Sequence, residues 1–247
     1  YSLESTPYFV IATCRRPSEA SDLQKLTQQY GTERLLLLQL DTTSAASHAA
    51  CQVTLAEKGV TQIDALIANA GVASSRNDDS FMGCGEADMM DVFNTNVVGT
   101  MQTMQSCNAL VTSSAAKLCV VMSSKLGCIS TAGGSYTSYR ASKAAVNMLA
   151  MSYANEQTFR AAGGKVLCVH PGWVQTDMGQ SGGRRAPVSV QDSAKGIMQL
   201  VQAACCVQTG SPIPVPIPDH APLDSFVKAL RDQSCVFVAY DGELLPW

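Results

Sequence analysis

Six short apolar runs recur along the chain, and they lack the in-out alternation of strands with one face in water. Continuous apolar runs of this length are typical of strands buried on both faces of a parallel sheet. The segments between them are long enough to cross over the sheet. The pattern predicts an α/β fold, a doubly wound, mostly parallel sheet with helices on both faces. The predicted strands lie within residues 8–13, 34–40, 64–70, 117–123, 165–171 and 235–240.

Four of the intervening segments carry helical spacing and predict helices. The last of them follows Ser189, a residue type that caps helix N-termini through its hydroxyl oxygen. The segment at 211–222 differs, because its five prolines exclude it from a helix or an inner strand. We expect an extended surface loop there, followed by a short helix at 224–232. The longer predicted helices lie within residues 44–59, 91–114, 139–159 and 189–204.

The composition narrows the class of protein. Its 247 residues are 46% hydrophobic and only 15% charged, which favours one folded domain over 1–247 and argues against disorder. With a net charge of -3 and no run of basic residues, the sequence has no basic patch that would bind the phosphate backbone of a nucleic acid. No apolar stretch approaches the roughly 20 residues of a membrane span. Ten cysteines without a C-x-x-C pair favour reduced thiols. We therefore predict a cytoplasmic protein with no nucleic-acid or membrane partner and no metal site.

The segment YRASK, Tyr139 to Lys143, is the sharpest candidate for chemistry. On a helix these two side chains lie one turn apart on the same face. A tyrosine phenol has an ordinary pKa near 10, and a neighbouring ammonium favours the phenolate, so we expect a lowered pKa for Tyr139. The pair would then work as an acid and base near neutral pH. Alone the pattern is weak, since such pairs on helices are more often solvated.

Other polar residues follow predicted strands, where ligands bind in parallel sheets. Asn69 to Gly71 follow one strand, and Ser123 and Ser124 follow the next. Asn96 lies in the apolar segment NTNVVG, where an amide needs hydrogen-bond partners. Taken in order, ANAG, NTNVVG, MSS, YRASK and HPGWVQTDM resemble the classical short-chain dehydrogenases/reductases over about residues 8–208 and 235–247. ATCR and the closing YDGELLPW are most similar to the C-factor or sniffer-like carbonyl reductase branch.

The resemblance implies a Rossmann-like fold and an NADP-dependent oxidoreductase that reduces a small-molecule carbonyl or oxidises the matching alcohol. Tyr139 would protonate the carbonyl oxygen, and Lys143 would lower the pKa of that phenol and bind the nicotinamide ribose. Ser124 would hold the substrate oxygen, although an unusually long interval before Tyr139 leaves Ser123 as an alternative. Asn96 would position a water in a proton relay.

The resemblance also implies cofactor contacts. Asp41 matches the acid that contacts adenine, or it caps the helix that follows it. Arg15 and Arg16 follow the first predicted strand, where an arginine can accept a 2′-phosphate, so we expect NADP rather than NAD. The alternative is a pair of exposed loop arginines. Asn69, Ala70 and Gly71 would line the adenosine side, and Pro171, Gly172, Val174 and Thr176 would cover the nicotinamide.

The sequence departs from the family in two places. It contains no T-G-x-x-x-G-x-G turn, so we expect that the first βα unit is missing from an N-terminally truncated chain and that these residues bind dinucleotide poorly. A Pro-rich insertion covers about 211–234. A non-catalytic binding or signalling protein on a truncated reductase scaffold is the alternative function. The helices at 91–114 and 139–159, through which relatives associate, imply that a homo-oligomer can form.

Overall fold

The structure, a computed structural model, describes residues 8–74, 79–213 and 222–247. The chain divides into two compact units between Val60 and Thr61. A single domain over 1–247 stays a prediction.

The first unit contains two parallel strands and two helices. Strands β1 (Val10–Cys14) and β2 (Leu35–Gln39) pair in register, with Val10 opposite Leu35. Helix α1 (Ser21–Tyr30) connects them after a short 3-10 turn, and α2 (Ala45–Glu57) follows β2. The hydrophobic pattern did not predict α1, because its sequence SDLQKLTQQY is largely polar, buries no residue and has no side-chain N-cap.

The second unit is built on a four-stranded, entirely parallel sheet in the order β3-β4-β5-β6. All six predicted strands are therefore present, and their bounds lie within or one residue beyond the predicted runs. The strands of this sheet are β3 (Ala65–Ala68), β4 (Leu118–Met122), β5 (Lys165–His170) and β6 (Cys235–Ala239).

Successive residues of the central strands enter two different hydrophobic clusters, one on each face of the sheet. In β5, Val166 and Cys168 pack on one face, while Leu167 and Val169 pack on the other. This explains why the strand sequences are apolar without alternation. Helices α4 and α5 supply residues to the first cluster, and α8 and α9 supply residues to the second. The predicted doubly wound α/β fold is confirmed.

The helices of the second unit match the predicted segments with two differences. The segment predicted at 91–114 begins earlier and includes a π-helical stretch, Asn94–Gly99. The segment predicted at 139–159 breaks at Glu156, whose backbone is not helical. The helices are α3 (Glu86–Phe93), α4 (Thr100–Ser113), α5 (Thr137–Asn155), α6 (Gln157–Ala161), α7 (Asp177–Gln180), α8 (Val190–Thr209) and α9 (Pro222–Asp232).

The predicted cap of α8 and the predicted short helix are present, whereas most of the predicted proline-rich loop is not described. The Ser189 hydroxyl accepts from the backbone N–H of Asp192, so the predicted N-cap of α8 is confirmed. The short helix predicted at 224–232 is α9. The proline-rich loop predicted at 211–222 lies outside the described residues at 214–221. The ten cysteines, all within the described ranges, form no disulfide bond. None of the helices in the described ranges has the length and apolar character that crossing a membrane requires.

Leu167 tests the burial of β5 on both faces. Its side chain is fully buried, so Leu167→Ala should lower the free energy of unfolding by about 2–5 kcal/mol through lost transfer energy and a residual cavity. Leu244→Ala removes the same atoms from a residue that is 41% exposed, and its cost should stay within about 1 kcal/mol. Urea denaturation followed by circular dichroism measures both. Equal costs would contradict the burial pattern.

Candidate active site

The carboxyl ends of the strands in the second unit carry the polar residues of interest. Strands β3, β4 and β5 are parallel neighbours, so their ends lie along one edge of the sheet. Asn69 follows β3, Ser123 follows β4, and Pro171 follows β5. Helix α5, which carries Tyr139 and Lys143, packs on β5 and on the turn that follows β4. The sequence motifs of this unit therefore converge on the edge where ligands bind in parallel sheets.

Tyr139 and Lys143 lie on the same face of α5, as the four-residue spacing predicts. The Lys143 Nζ atom lies 5.6 Å from the centroid of the Tyr139 ring. The Lys143 side chain is buried, with 4% of its surface exposed, and its ammonium donates a 2.7 Å hydrogen bond to the carbonyl oxygen of Met122 at the end of β4. This bond joins α5 to the sheet.

The pKa of Tyr139 differs from the sequence-based expectation. Burial raises the pKa of Tyr139 above its ordinary value, and a hydrogen bond with the Ser124 side chain opposes that rise only in part. Burial also lowers the pKa of Lys143 to about 8. Desolvation disfavours the charged forms of both groups, the phenolate and the ammonium. The structure therefore holds Tyr139 as a protonated phenol.

The structure separates Ser124 from its alternative. The Ser123 hydroxyl donates to Asn147 Oδ1 at 2.5 Å, inside the core. The Ser124 hydroxyl, which is also buried, accepts from the N–H of Leu126 at 3.1 Å, and it lies near enough to the Tyr139 phenol to lower the pKa of that phenol. Neighbouring residues of an extended chain point to opposite sides. Only Ser124 lies beside the phenol.

Asn96 is fully buried within the π-helical stretch. Its Oδ1 accepts from the N–H of Val72 at 2.7 Å, and its amide nitrogen donates to Val72 O and Ser142 Oγ, both at 2.9 Å. Both amide hydrogens are thus engaged, so this side chain ties the segment after β3 to α5. The role of Asn96 in positioning a water stays a prediction.

The glycine that follows Asn69 and Ala70 lies close to the buried ammonium. A Cβ on Gly71 would lie 3.4 Å from both Lys143 Nζ and Asn96 Oδ1, an ordinary to tight contact that leaves little space for a larger side chain. Asn69 and Ala70 are exposed. In the ANAG segment, Gly71 therefore lies beside the candidate catalytic lysine. Asn69 and Ala70, which precede it, are accessible to a ligand.

The segment after β5 contacts α8, the residue that follows β6, and α7. The carbonyl oxygen of Pro171 accepts from Ser193 Oγ at 2.7 Å. Gly172 has a φ of 86°, and a Cβ there would lie 3.0 Å from the Tyr240 ring, so this position requires glycine. Thr176 caps α7 by accepting from the N–H of Gly179 at 3.1 Å. Val174 forms an isolated bridge to residue 188.

In the first unit, Asp41 is not the N-cap of α2, because Ser44 has that position and accepts from the N–H of Ser47. The alternative interpretation of Asp41 as a helix cap is therefore wrong. Its Oδ1 accepts from the N–H and hydroxyl of Thr43 at 2.9 and 2.7 Å, and these bonds lower the pKa of the carboxyl.

The two arginines after β1 have different partners. Arg16 pairs with Glu19 at 2.9 Å, and both side chains are exposed. Arg15 is exposed and makes no hydrogen bond or ion pair within the described ranges. Of the two candidates for a phosphate contact, Arg15 is the one without a described hydrogen bond or ion pair, and its charge helps to lower the pKa of the Asp41 carboxyl.

Comparison with known proteins decides the family. Residues 2–186 match the family model described as short chain dehydrogenase. The chain belongs to the short-chain dehydrogenase family. It is 33% identical over 144 residues to C-signal of Myxococcus xanthus, an alignment that covers 56% of this chain and 80% of C-signal. The resemblance inferred from the five motifs is confirmed, and with it membership of an oxidoreductase family.

Solved structures agree with this assignment. The carbonyl reductase Sniffer of D. melanogaster superposes with a TM-score of 0.77 at 23% identity, covering 99% of this chain and 92% of that one, and shares the fold. The NADPH-bound carbonyl reductase from chicken fatty liver superposes with a TM-score of 0.78 at 26% identity, covering 99% of this chain and 90% of that one.

The sequence motifs of this short-chain dehydrogenase did not reveal Asp79. Its two carboxylate oxygens accept from the N–H and the hydroxyl of Ser138 at 3.1 and 2.9 Å, and its backbone carbonyl accepts from the N–H of Thr137. Helix α5 has no cap from the side chain of Tyr136, so Asp79 caps it from a distant segment. A contact spanning 59 residues leaves no local pattern.

His170, the last residue of β5, was also missed. Its Nδ1 atom is buried without a hydrogen-bond partner in the described structure, and burial lowers the pKa of its imidazole to about 4. Within the described ranges, no group of three or more His, Cys, Asp or Glu residues could hold a metal ion. His170 is therefore a neutral, half-buried residue at the edge of the site.

The buried imidazole should make folding sensitive to acid. The unfolded chain protonates His170 near pH 6.5, whereas the folded chain resists protonation until about pH 4. The unfolded state thus binds more protons between these values, and the free energy of unfolding should fall by about 1–3 kcal/mol as the pH falls through this window. His170→Phe, which cannot titrate, should flatten that part of the curve. Parallel curves for both proteins, from urea titrations at several pH values, would refute this assignment.

Proposed function

We propose that this protein reduces a carbonyl group with NADPH, oxidises the matching alcohol in reverse, and uses Tyr139 as the proton donor. The observation that supports the proposal best is the buried Lys143 ammonium 5.6 Å from the centroid of the Tyr139 ring, on a phenol that burial keeps protonated and that has the buried Ser124 hydroxyl near it. A proton donor, an oxygen-binding hydroxyl and a nearby cation are what reduction of a carbonyl requires from the protein.

The three side chains have separate roles in this proposal. The Ser124 hydroxyl, which lowers the pKa of the nearby Tyr139 phenol, holds the substrate oxygen beside that phenol. Tyr139 transfers its proton to that oxygen as negative charge develops there. The phenolate that remains is stabilised by the Lys143 ammonium, whose pKa of about 8 keeps it charged at neutral pH. Because the resting phenol is protonated, reduction needs no prior uptake of a proton.

The residues of the second unit fit a nicotinamide ribose. Lys143 donates one described hydrogen bond, to Met122 O, and an ammonium has three donors, so two remain for ribose hydroxyls. Gly71 has no side chain to cover that nitrogen, since even a Cβ there would lie 3.4 Å from it. NADPH, when bound, supplies the hydride. The NADPH-bound chicken carbonyl reductase supports this cofactor, and the exposed Arg15 in the first unit fits a 2′-phosphate.

The remaining cofactor contacts are proposals on the same basis. Asp41 would contact adenine, Asn69 and Ala70 the adenosine side, and the segment Pro171–Thr176 the nicotinamide. A cytoplasmic location and self-association through α4 and α5 also stay predictions. The non-catalytic alternative differs from this proposal in one measurable property, because it requires no turnover of any carbonyl compound.

Removing the Tyr139 hydroxyl should abolish proton donation. Tyr139→Phe should lower kcat/KM for carbonyl reduction by at least about 100-fold, measured as NADPH oxidation with a panel of aldehydes and ketones. Tyr153→Phe is the matched control, since Tyr153 lies on the same helix but bonds Asn108 Oδ1, and its turnover should be retained. Full activity in Tyr139→Phe would overturn the proposed mechanism. Absence of turnover in the wild type would favour the non-catalytic alternative.

Arg15 should set the preference between the two dinucleotides. Arg15→Ala removes the cation that would pair with the 2′-phosphate, so the Kd for NADPH should rise about tenfold while the Kd for NADH stays the same. Arg16→Ala serves as the control, because Arg16 is paired with Glu19. Fluorescence titration should extend to millimolar concentrations, since the sequence predicts weak binding. An equal effect of both variants, or none, would refute the role of Arg15.

A further inference from the structure

Arg184, in the segment after α7, donates through all three nitrogens of its guanidinium. Nε donates to Ser181 O at 2.7 Å and Nη2 to Met178 O at 3.2 Å. Nη1 donates to the hydroxyl of Tyr136, and the guanidinium carbon lies 5.3 Å from the centroid of the Tyr136 ring. The side chain thus joins the segment that follows the predicted nicotinamide-covering residues to the segment that leads into α5.

Tyr136 has an unusual backbone for its residue type. Its φ of 59° and ψ of 42° place it in the left-handed region, which costs a non-glycine residue about 1 kcal/mol or more. It directly precedes α5 and lies three residues before Tyr139. The contact with Arg184 holds the Tyr136 side chain in this position. The Arg184–Tyr136 pair is therefore part of the same helix end that carries the proposed proton donor.

The charge of Arg184 has no counterion. Its three acceptors are neutral oxygens, and no carboxylate pairs with Arg184 or with the neighbouring, exposed Arg185 in the parts of the chain that are described. A guanidinium has five N–H donors, so two remain after the three observed bonds. Half-buried cations are stable when an anion pairs with them. The Arg184–Tyr136 pair therefore presents a positively charged guanidinium, with two N–H groups still able to donate, beside the candidate active site.

We propose that Arg184, with the Tyr136 hydroxyl beside it, binds an anionic group of the substrate, so that the protein acts on carbonyl compounds that carry a carboxylate or a similar anion. This inference rests on the proposed carbonyl reduction and adds its substrate class. The fork geometry of arginine suits a carboxylate, which accepts two parallel N–H bonds. The anion would bind at Arg184 while the carbonyl oxygen lies between Ser124 and Tyr139.

Two aldehydes, one with an anionic and one with an uncharged para substituent, test the inference. The probes are 4-formylbenzoate and its uncharged methyl ester. The wild type should reduce the anion with a kcat/KM at least about tenfold above that of the ester. Arg184→Gln should bring the ratio of kcat/KM for the anion to kcat/KM for the ester down to about one, and this ratio is the readout because Arg184 also contacts Tyr136. Arg185→Gln, which removes the adjacent charge, should retain the preference. Equal rates for both aldehydes in the wild type, or a preference unchanged in Arg184→Gln, would overturn the inference.

A binding measurement separates this inference from the proposed reaction. Calorimetric titration with 4-formylbenzoate needs no turnover, and the Kd should rise at least about tenfold in Arg184→Gln but not in Arg185→Gln. If the ester is reduced and the anion is neither preferred nor bound, the substrate class is wrong and the reaction stands. If neither aldehyde is reduced but the anion binds through Arg184, the reaction is wrong and the anion site stands. An increase in the Kd for NADPH in Arg184→Gln would assign the arginine to the cofactor instead and contradict the proposal.

Discussion

The buried hydrogen bond from the Lys143 ammonium to the carbonyl oxygen of Met122 is the interaction on which the site depends. An ammonium removed from water needs strong partners, and this one has the last carbonyl of β4. The bond places α5 against the sheet edge and brings Tyr139 with it. Close packing reinforces it, since a Cβ on Gly127 would lie 2.8 Å from the backbone carbon of Lys143. Only glycine permits this approach of the turn after β4 to the helix.

Three distant chain segments hold α5 in addition to β4. Asp79 caps its first turn, and Asn96 reaches Ser142 one turn further along. Arg184 holds Tyr136, the residue that precedes the helix. Each contact uses a polar or charged side chain at the carboxyl edge of the sheet, while the apolar face of α5 contributes Val146 and Ala150 to the core. The helix that carries the candidate acid is thus positioned by polar contacts at one end and by packing along its length.

The sequence predicted the strands well because strands buried on both faces leave continuous apolar runs. It predicted Tyr139 and Lys143 as neighbours because helical spacing determines that geometry. It did not predict α1, because the polar sequence of that helix carries no hydrophobic face. It also did not predict the hydrogen bonds between residues about 40 to 60 positions apart, such as those of Asp79 with Ser138. The direction of the Tyr139 pKa was also beyond the sequence, since it depends on how deeply the phenol is buried.

The π-helical stretch Asn94–Gly99 has a consequence for the architecture of the second unit. A π turn accommodates one more residue than an α turn and commonly arises from a single-residue insertion in a helix. The extra residue offsets the faces of α3 and α4 by about 100°. Removing one residue from this stretch would restore a regular helix. The same deletion would rotate α3 away from its packing partners, among them α5, so the regular helix would disturb the packing around the helix that carries Tyr139.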